Sequence, residues 1–113
     1  MLTGALILLP DGTRAEGFVD LPEEPSRYSE IRAAIRALLV LGKAYPEHVS
    51  VLHESKRADM FVHEDGHGDG LPRNEAATAI YRAAWLRDHP ADEPETLPWI
   101  AGPAVIFDRI VWS

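Results

Sequence analysis

Residues 48–64, HVSVLHESKRADMFVHE, hold two short β-type runs around a polar tip. Read with arms at 48–54 and 59–64 and Ser55-Lys56-Arg57-Ala58 as the tip, the stretch predicts an antiparallel hairpin in the middle of the chain. Two registers fit. With the turn centred on Lys56, His53 lies across from Asp59 and His63 across from Val49 on the same face. Centred between Lys56 and Arg57, His53 meets Met60 and His63 turns to the other side, because a one-residue slip inverts every side chain.

A helix precedes this hairpin. Ile31, Ala34, Ile35, Leu38 and Leu39 recur at i, i+3, i+4, i+7 and i+8, which gathers them into one apolar stripe with Arg32 and Arg36 opposite. Ser26 or Ser29 can accept from the free N–H groups at its start, and Gly42 is placed to end it. Before the helix, residues 2–9 are rich in Leu and Ile, and Pro10-Asp11-Gly12 is turn chemistry. Residues 13–21 then form a second arm, with Ala15, Gly17 and Val19 on one face and Arg14, Glu16, Phe18 and Asp20 on the other. This imperfect alternation suits an edge strand.

Beyond the central hairpin, residues 64–71 read Glu-Asp-Gly-His-Gly-Asp-Gly-Leu, a glycine-rich loop expected outside the core. Asn74 caps a second helix, in which Ala77, Ile80, Tyr81, Ala84 and Trp85 share the inward side and His89-Pro90 forms the end. Residues 91–98 are an acidic, proline-containing connection. Residues 104–112 are apolar on both faces apart from Asp108 and Arg109, which places them in the sheet interior with a bend near Asp108. The expectation is a single α+β domain over residues 1–113, order ββαββαβ, an antiparallel sheet with two amphipathic helices on one face.

Composition narrows the function classes. The 113 residues are 46% hydrophobic and 26% charged, enough apolar material for one core without a metal or disulfide staple. No cysteine is present, which removes thiolate metal sites, disulfides and cysteine nucleophiles and fits a reducing compartment. Eighteen acids against eleven Lys and Arg give a formal charge of −7, so direct binding to nucleic acid is not expected. No apolar run approaches the roughly 18 residues of a membrane span, and the start lacks a basic n-region, so no membrane contact and a cytoplasmic location are expected.

Candidate chemistry centres on residues 63–69. His63 and His67 lie among Glu64, Asp65 and Asp69, donors that can converge on a divalent cation, although the spacing matches neither a closed zinc pattern nor an EF-hand. They are weak metal candidates within a metal-dependent hydrolase or ligand binder, and no cofactor is assigned. No nucleophile elbow, P-loop or dinucleotide fingerprint occurs. Catalysis is not the favoured reading.

As a binding surface, Glu64, Asp65 and Asp69 offer a negative rim. Asn74 sits at a helix start whose N–H groups can hold an anion. Trp99, in Pro-Trp-Ile-Ala-Gly-Pro, is the tryptophan most suited to exposure as an interface anchor, against the alternative that its large ring packs into the core. The acidic stretches at 59–69 and 88–95, placed along one edge, would attract a basic protein or imitate the phosphates of a nucleic acid.

Four elements in order, Leu-Ile-Leu-Leu-Pro-Asp-Gly at the start, Met-Phe-Val-His-Glu-Asp-Gly at 60–66, Gly-Leu-Pro-Arg-Asn-Glu at 70–75 and Ile-Ala-Gly-Pro-Ala-Val-Ile-Phe at 100–107, carry a resemblance over most of the chain. The sequence resembles a domain-of-unknown-function family of small proteins found in bacteria, plasmids and phages. It departs from that pattern by the extra His67-Gly68-Asp69 and by the well-formed helix through Ala-Thr-Ala-Ile-Tyr-Arg. The resemblance implies an accessory role in a mobile element. The combined expectation is a small accessory or regulatory module that binds a protein partner, with a homodimer among the possible assemblies.

Overall fold

The computed structural model describes residues 1–26, 29–39 and 45–112. Among them the elements run β1 (Leu2–Leu8), β2 (Arg14–Asp20), α1 (Ser29–Leu39), β3 (Pro46–His53), β4 (Lys56–His63), α2 (Glu75–Asp88) and β5 (Ala104–Phe107). A 3₁₀ turn at Pro94–Thr96 precedes β5. The α+β class and the ββαββαβ order are those read from the sequence. The five strands form one antiparallel sheet in the spatial order β2-β1-β5-β4-β3. Short, wholly buried β5 lies at its centre, pairing Leu6 with Ile106 on one side and Met60 with Ile106 on the other.

The helices divide between the two faces of the sheet, which corrects their expected placement on one. On one face Ala5, Phe61, Val105 and Phe107 pack with Ile31, Ile35 and Leu39 of α1. On the other, Leu8, Val51, Met60, Val62 and Ile106 pack with Ala77, Ile80 and Tyr81 of α2. The cause is the strands themselves. β1, β4 and β5 carry large apolar residues in consecutive positions (Leu6 and Ile7, Met60 and Phe61, Val105 and Ile106), so both faces need cover. Each fully buried Leu, Ile, Phe or Met contributes about 1.5–3 kcal/mol, and one-sided helices would forfeit that for a whole row.

The α1 stripe is the expected one. Gly42 lies outside the described residues. The buried Ser26 Oγ has no hydrogen-bond partner, so Ser26 does not cap α1. In α2, Asn74 and His89 are the caps. Trp85, expected inside, is instead 38% exposed. Its indole donates to Asp92 Oδ2 at 2.8 Å, and its ring stacks on His89 at 4.2 Å. It closes the polar turn after α2 rather than the core.

The first hairpin follows its turn chemistry. Leu9 N–H donates to Thr13 O, Gly12 sits at φ +89°, and Asp11 Oδ1 accepts from the Thr13 hydroxyl at 2.6 Å and its N–H at 2.9 Å. Those hydrogen bonds hold the Asp11 carboxyl below its ordinary range. β2 is an edge strand, exposed at every position but Val19.

The central hairpin takes neither expected register. Its turn is Glu54-Ser55, so His53 pairs with Lys56, Ser50 with Asp59 and Pro46 with His63. Both turn residues have positive φ, 52° and 66°, as the primed two-residue loops that match strand twist require. Neither is the Asn or Gly that adopts this conformation at low cost, and a left-handed conformation costs other L-residues about 1–2 kcal/mol. The double substitution Glu54→Asn/Ser55→Gly is expected to stabilise the fold by about 1 kcal/mol, visible as a rise of several degrees in Tm. An unchanged or lower Tm would show that the turn is not held this way.

Candidate functional site

Two segments meet where β4 ends. The chain leaves His63 into a wound turn in which Asp69 N–H donates to Asp65 O at 2.9 Å, Gly70 N–H to His67 O at 3.1 Å and Leu71 N–H to Gly66 O at 2.9 Å. Gly66 is buried against Ala101: a Cβ there would stand 2.5 Å from the Ala101 carbonyl oxygen, so only glycine permits the approach. The chain then runs antiparallel to the segment before β5, with Gly102 N–H donating to Pro72 O and Asn74 N–H to Ile100 O, both at 2.8 Å. The loop read from the sequence is therefore exposed on its rim and packed at its base.

One polar stripe of α2 fixes the second segment. Asn74, Thr78 and Arg82 recur at i, i+4 and i+8, the spacing of one helix face. Arg82 Nη2 donates to Leu97 O at 3.0 Å, and Thr78 Oγ1 accepts from Ile100 N–H at 2.9 Å. Asn74 is 0% exposed, and its side chain makes three hydrogen bonds. Its Oδ1 accepts from Ala77 N–H as helix cap, while Nδ2 donates to Leu8 O and Gly102 O. Asn74 is thus no ligand-facing group, which corrects its candidacy as a binding residue. Its amide is consumed in joining α2, β1 and the 97–102 segment. Arg82 is likewise structural, its guanidinium held by the Leu97 carbonyl.

Trp99 emerges from this held segment half-buried. The His67 ring lies 3.9 Å from the Trp99 ring, His67 Nε2 donates to the Trp99 carbonyl, and the Arg73 guanidinium stands 5.6 Å over the indole. Glu64, Asp65 and Asp69 are exposed on the adjoining turn. Four of the five expected binding residues therefore share one end of the molecule. Beside them a cavity of about 210 Å³ is lined by Val49, Val62, Tyr81 and Trp99.

The histidines are spoken for. His63 Nδ1 accepts from Asp65 N–H at 3.0 Å, so its proton sits on Nε2, 3.3 Å from Asp69 Oδ2. That leaves His63 no lone pair to give a cation, and His67 directs its Nε2 proton at a carbonyl. Among the described residues no three His, Cys, Asp or Glu side chains converge as a metal set.

A histidine–carboxylate pair that sequence reasoning missed stands on the α1 face. Because the turn lies at Glu54-Ser55, it is His48 and not His53 that reaches Asp59, with Nε2 2.7 Å from Oδ1. Asp59 is buried, and its Oδ2 also accepts from Val111 N–H at 2.8 Å and Trp112 N–H at 3.0 Å. Phe61 and Trp112 ring the imidazole at 5.2 and 6.0 Å. An acid-orienting pair of this kind needs a nucleophile or substrate cleft to do chemistry. Here both carboxylate oxygens are used to bind the backbone after β5 and to hold His48. The pair is a clasp. Only the register carries the signal for it, and the sequence did not reveal the register.

A wider concavity, about 640 Å³, lies at the opposite end, over the part of the sheet that α2 leaves bare. Leu6, Phe18 and Ile106 line it beside Arg14, Lys56 and Arg57. No known family, curated protein or solved structure matches this chain.

Proposed function

We propose that the chain is a non-enzymatic binding module that takes a basic segment of a partner protein at the end formed by Glu64, Asp65, Asp69 and Trp99. One observation carries this reading: the Trp99 ring is held against His67, so that an aromatic anchor and three exposed carboxylates from distant parts of the sequence share one surface. A pre-positioned indole with an acidic rim suits Lys or Arg side chains, through cation–π contact at the centre and charge at the edge. Arg73 already occupies one side of the indole, in the manner proposed for the partner's cation. The accessory role in a mobile element implied by the resemblance belongs with this reading and rests on that resemblance alone.

Titration of isotope-labelled protein with an Arg- and Lys-rich peptide tests it. Amide shifts confined to residues 63–70 and 97–101 are expected, with affinity falling steeply as salt rises. Neutralising the rim (Glu64→Gln, Asp65→Asn, Asp69→Asn) and removing the ring (Trp99→Ala) should each weaken binding about tenfold or more. Equal affinity for the neutralised chain, or shifts centred elsewhere, would refute the reading.

A further inference from the structure

The two edges of the sheet are not alike. β3 opens on Pro46 and packs against both helices, whereas β2 carries no proline along its seven residues and is exposed at six of them. Beside this bare edge, on the part of its own sheet face that α2 leaves uncovered, Phe18 is 77% and Leu2 72% exposed. Edges are normally blunted by proline, charge or cover; β2 has neither proline nor cover, and its charges, Arg14, Glu16 and Asp20, decide which strand it can accept.

The hydrogen-bond phase of β2 is fixed by its hairpin. Leu9 N–H donates to Thr13 O and Leu21 N–H to Met1 O, so in the register that pairs Ala5 with Gly17 the residues at 15, 17 and 19 turn their backbone groups toward β1. Arg14, Glu16, Phe18 and Asp20 turn theirs outward. An antiparallel copy of the same strand can therefore pair only even-numbered residues with even-numbered residues. Centred on Glu16, the pairing sets Glu16 against Glu16; centred on Phe18, it sets Glu16 against Asp20. Centred on Gly17, it sets Arg14 against Asp20 twice, by symmetry, and Glu16 against Phe18. The glycines then meet at the close, non-hydrogen-bonded position, where the absence of side chains eases approach, and the two Phe18 rings become diagonal neighbours.

From this complementarity we infer that β2 pairs with β2 of a second copy about a two-fold axis at Gly17, joining two five-stranded sheets into one. The register is selected by charge: of the three centres the backbone phase allows through the middle of the strand, this one alone opposes unlike charges. Met1 ammonium engages Asp20 Oδ1 at 2.6 Å, but the carboxylate stays 80% exposed and open to a second cation. The surface lies apart from the Trp99 end, so the inference does not depend on the proposed function.

Sedimentation equilibrium on the full chain tests it through charge reversal. Arg14→Asp sets Asp against Asp20, and Asp20→Arg sets Arg against Arg14; each should weaken self-association by about tenfold or more. An equimolar mixture of the two variants restores both unlike pairs and should associate as tightly as the parent chain, as should the double variant with itself. Protection of the Glu16 and Phe18 amides from hydrogen exchange should rise with concentration in the parent chain and in the mixture, and in neither single variant. Variants that self-associate like the parent, or a mixture no tighter than its components, would overturn the inference. So would a parent chain that stays monomeric up to about 1 mM, an outcome that would leave the edge to an extended segment of another protein.

Discussion

Asn74→Asp is expected to unfold more readily than Asn74→Ser, although aspartate and serine cap helices as well as asparagine does. The difference lies in the far side of the amide. Any of the three can accept from Ala77 N–H, but only the asparagine Nδ2 can also donate to Leu8 O and Gly102 O. Serine leaves those carbonyls unserved, and alanine loses the cap as well. With about 1 kcal/mol for the cap and 1–3 kcal/mol for each buried unsatisfied group, Asn74→Ala should cost about 3 kcal/mol, a fall of roughly 15 °C in Tm. Aspartate goes further, pressing a buried anion against two carbonyl oxygens, and should cost about 4 kcal/mol or more at neutral pH.

Burial without a cation raises the carboxyl pKa of that variant in the folded state above its unfolded value. The deficit is therefore small at low pH, where the group is protonated in both states, and opens as pH rises through the carboxylate range. Urea unfolding of the three variants across pH measures this. A tolerated, pH-independent Asn74→Asp would mean that Asn74 is only a cap.

Asp59→Ala is the second large loss, of about 4 kcal/mol, because it strips the acceptor from Val111 N–H and Trp112 N–H and the partner from His48 in one step. Asp59→Asn keeps the shape and one acceptor oxygen and should cost about half as much. His48→Ala removes a group at the margin of the site and should cost about 1 kcal/mol. The distinguishing readout is local. Hydrogen exchange at the Val111 and Trp112 amides should accelerate in Asp59→Ala beyond what global destabilisation accounts for. Uniform acceleration across the sheet would show that the clasp is not where the energy resides.

The class, the element order, the first turn, the α1 stripe, the Asn74 cap and the central place of the last strand were all legible from periodicity and cap chemistry. The central turn was not. An Asn-Gly pair would have announced a two-residue loop, whereas Glu54-Ser55 adopts one with residues that usually avoid it, and Lys56-Arg57 looks more like a tip than the start of a strand. That shift of position set Ser50 opposite Asp59 and brought its diagonal neighbour His48, not His53, to the carboxylate. The helix placement was legible and misread: strands apolar on both faces imply cover on both faces, and the run at 104–107 shows it plainly. The candidate site was half visible. Glu64, Asp65 and Asp69 were singled out by charge and Trp99 by its proline-flanked loop, and they do adjoin, although Trp99 is half-buried and Trp85 is the exposed indole. The polar stripe of Asn74, Thr78 and Arg82 that positions Trp99 hides inside a helix read only for its apolar residues.

The strand at the centre of the sheet is the last of these five that a ribosome delivers. Until residues 104–107 emerge, β1–β2 and β3–β4 are separate ribbons, each with an inner side awaiting a partner and each too small to persist alone in water. The native match of Ala5 with Phe107 joins residues far apart in sequence, which sets the domain among slow folders and makes its assembly wait for β5. A nascent chain arrested before Ala104 would hold two ribbons and no smaller version of this domain.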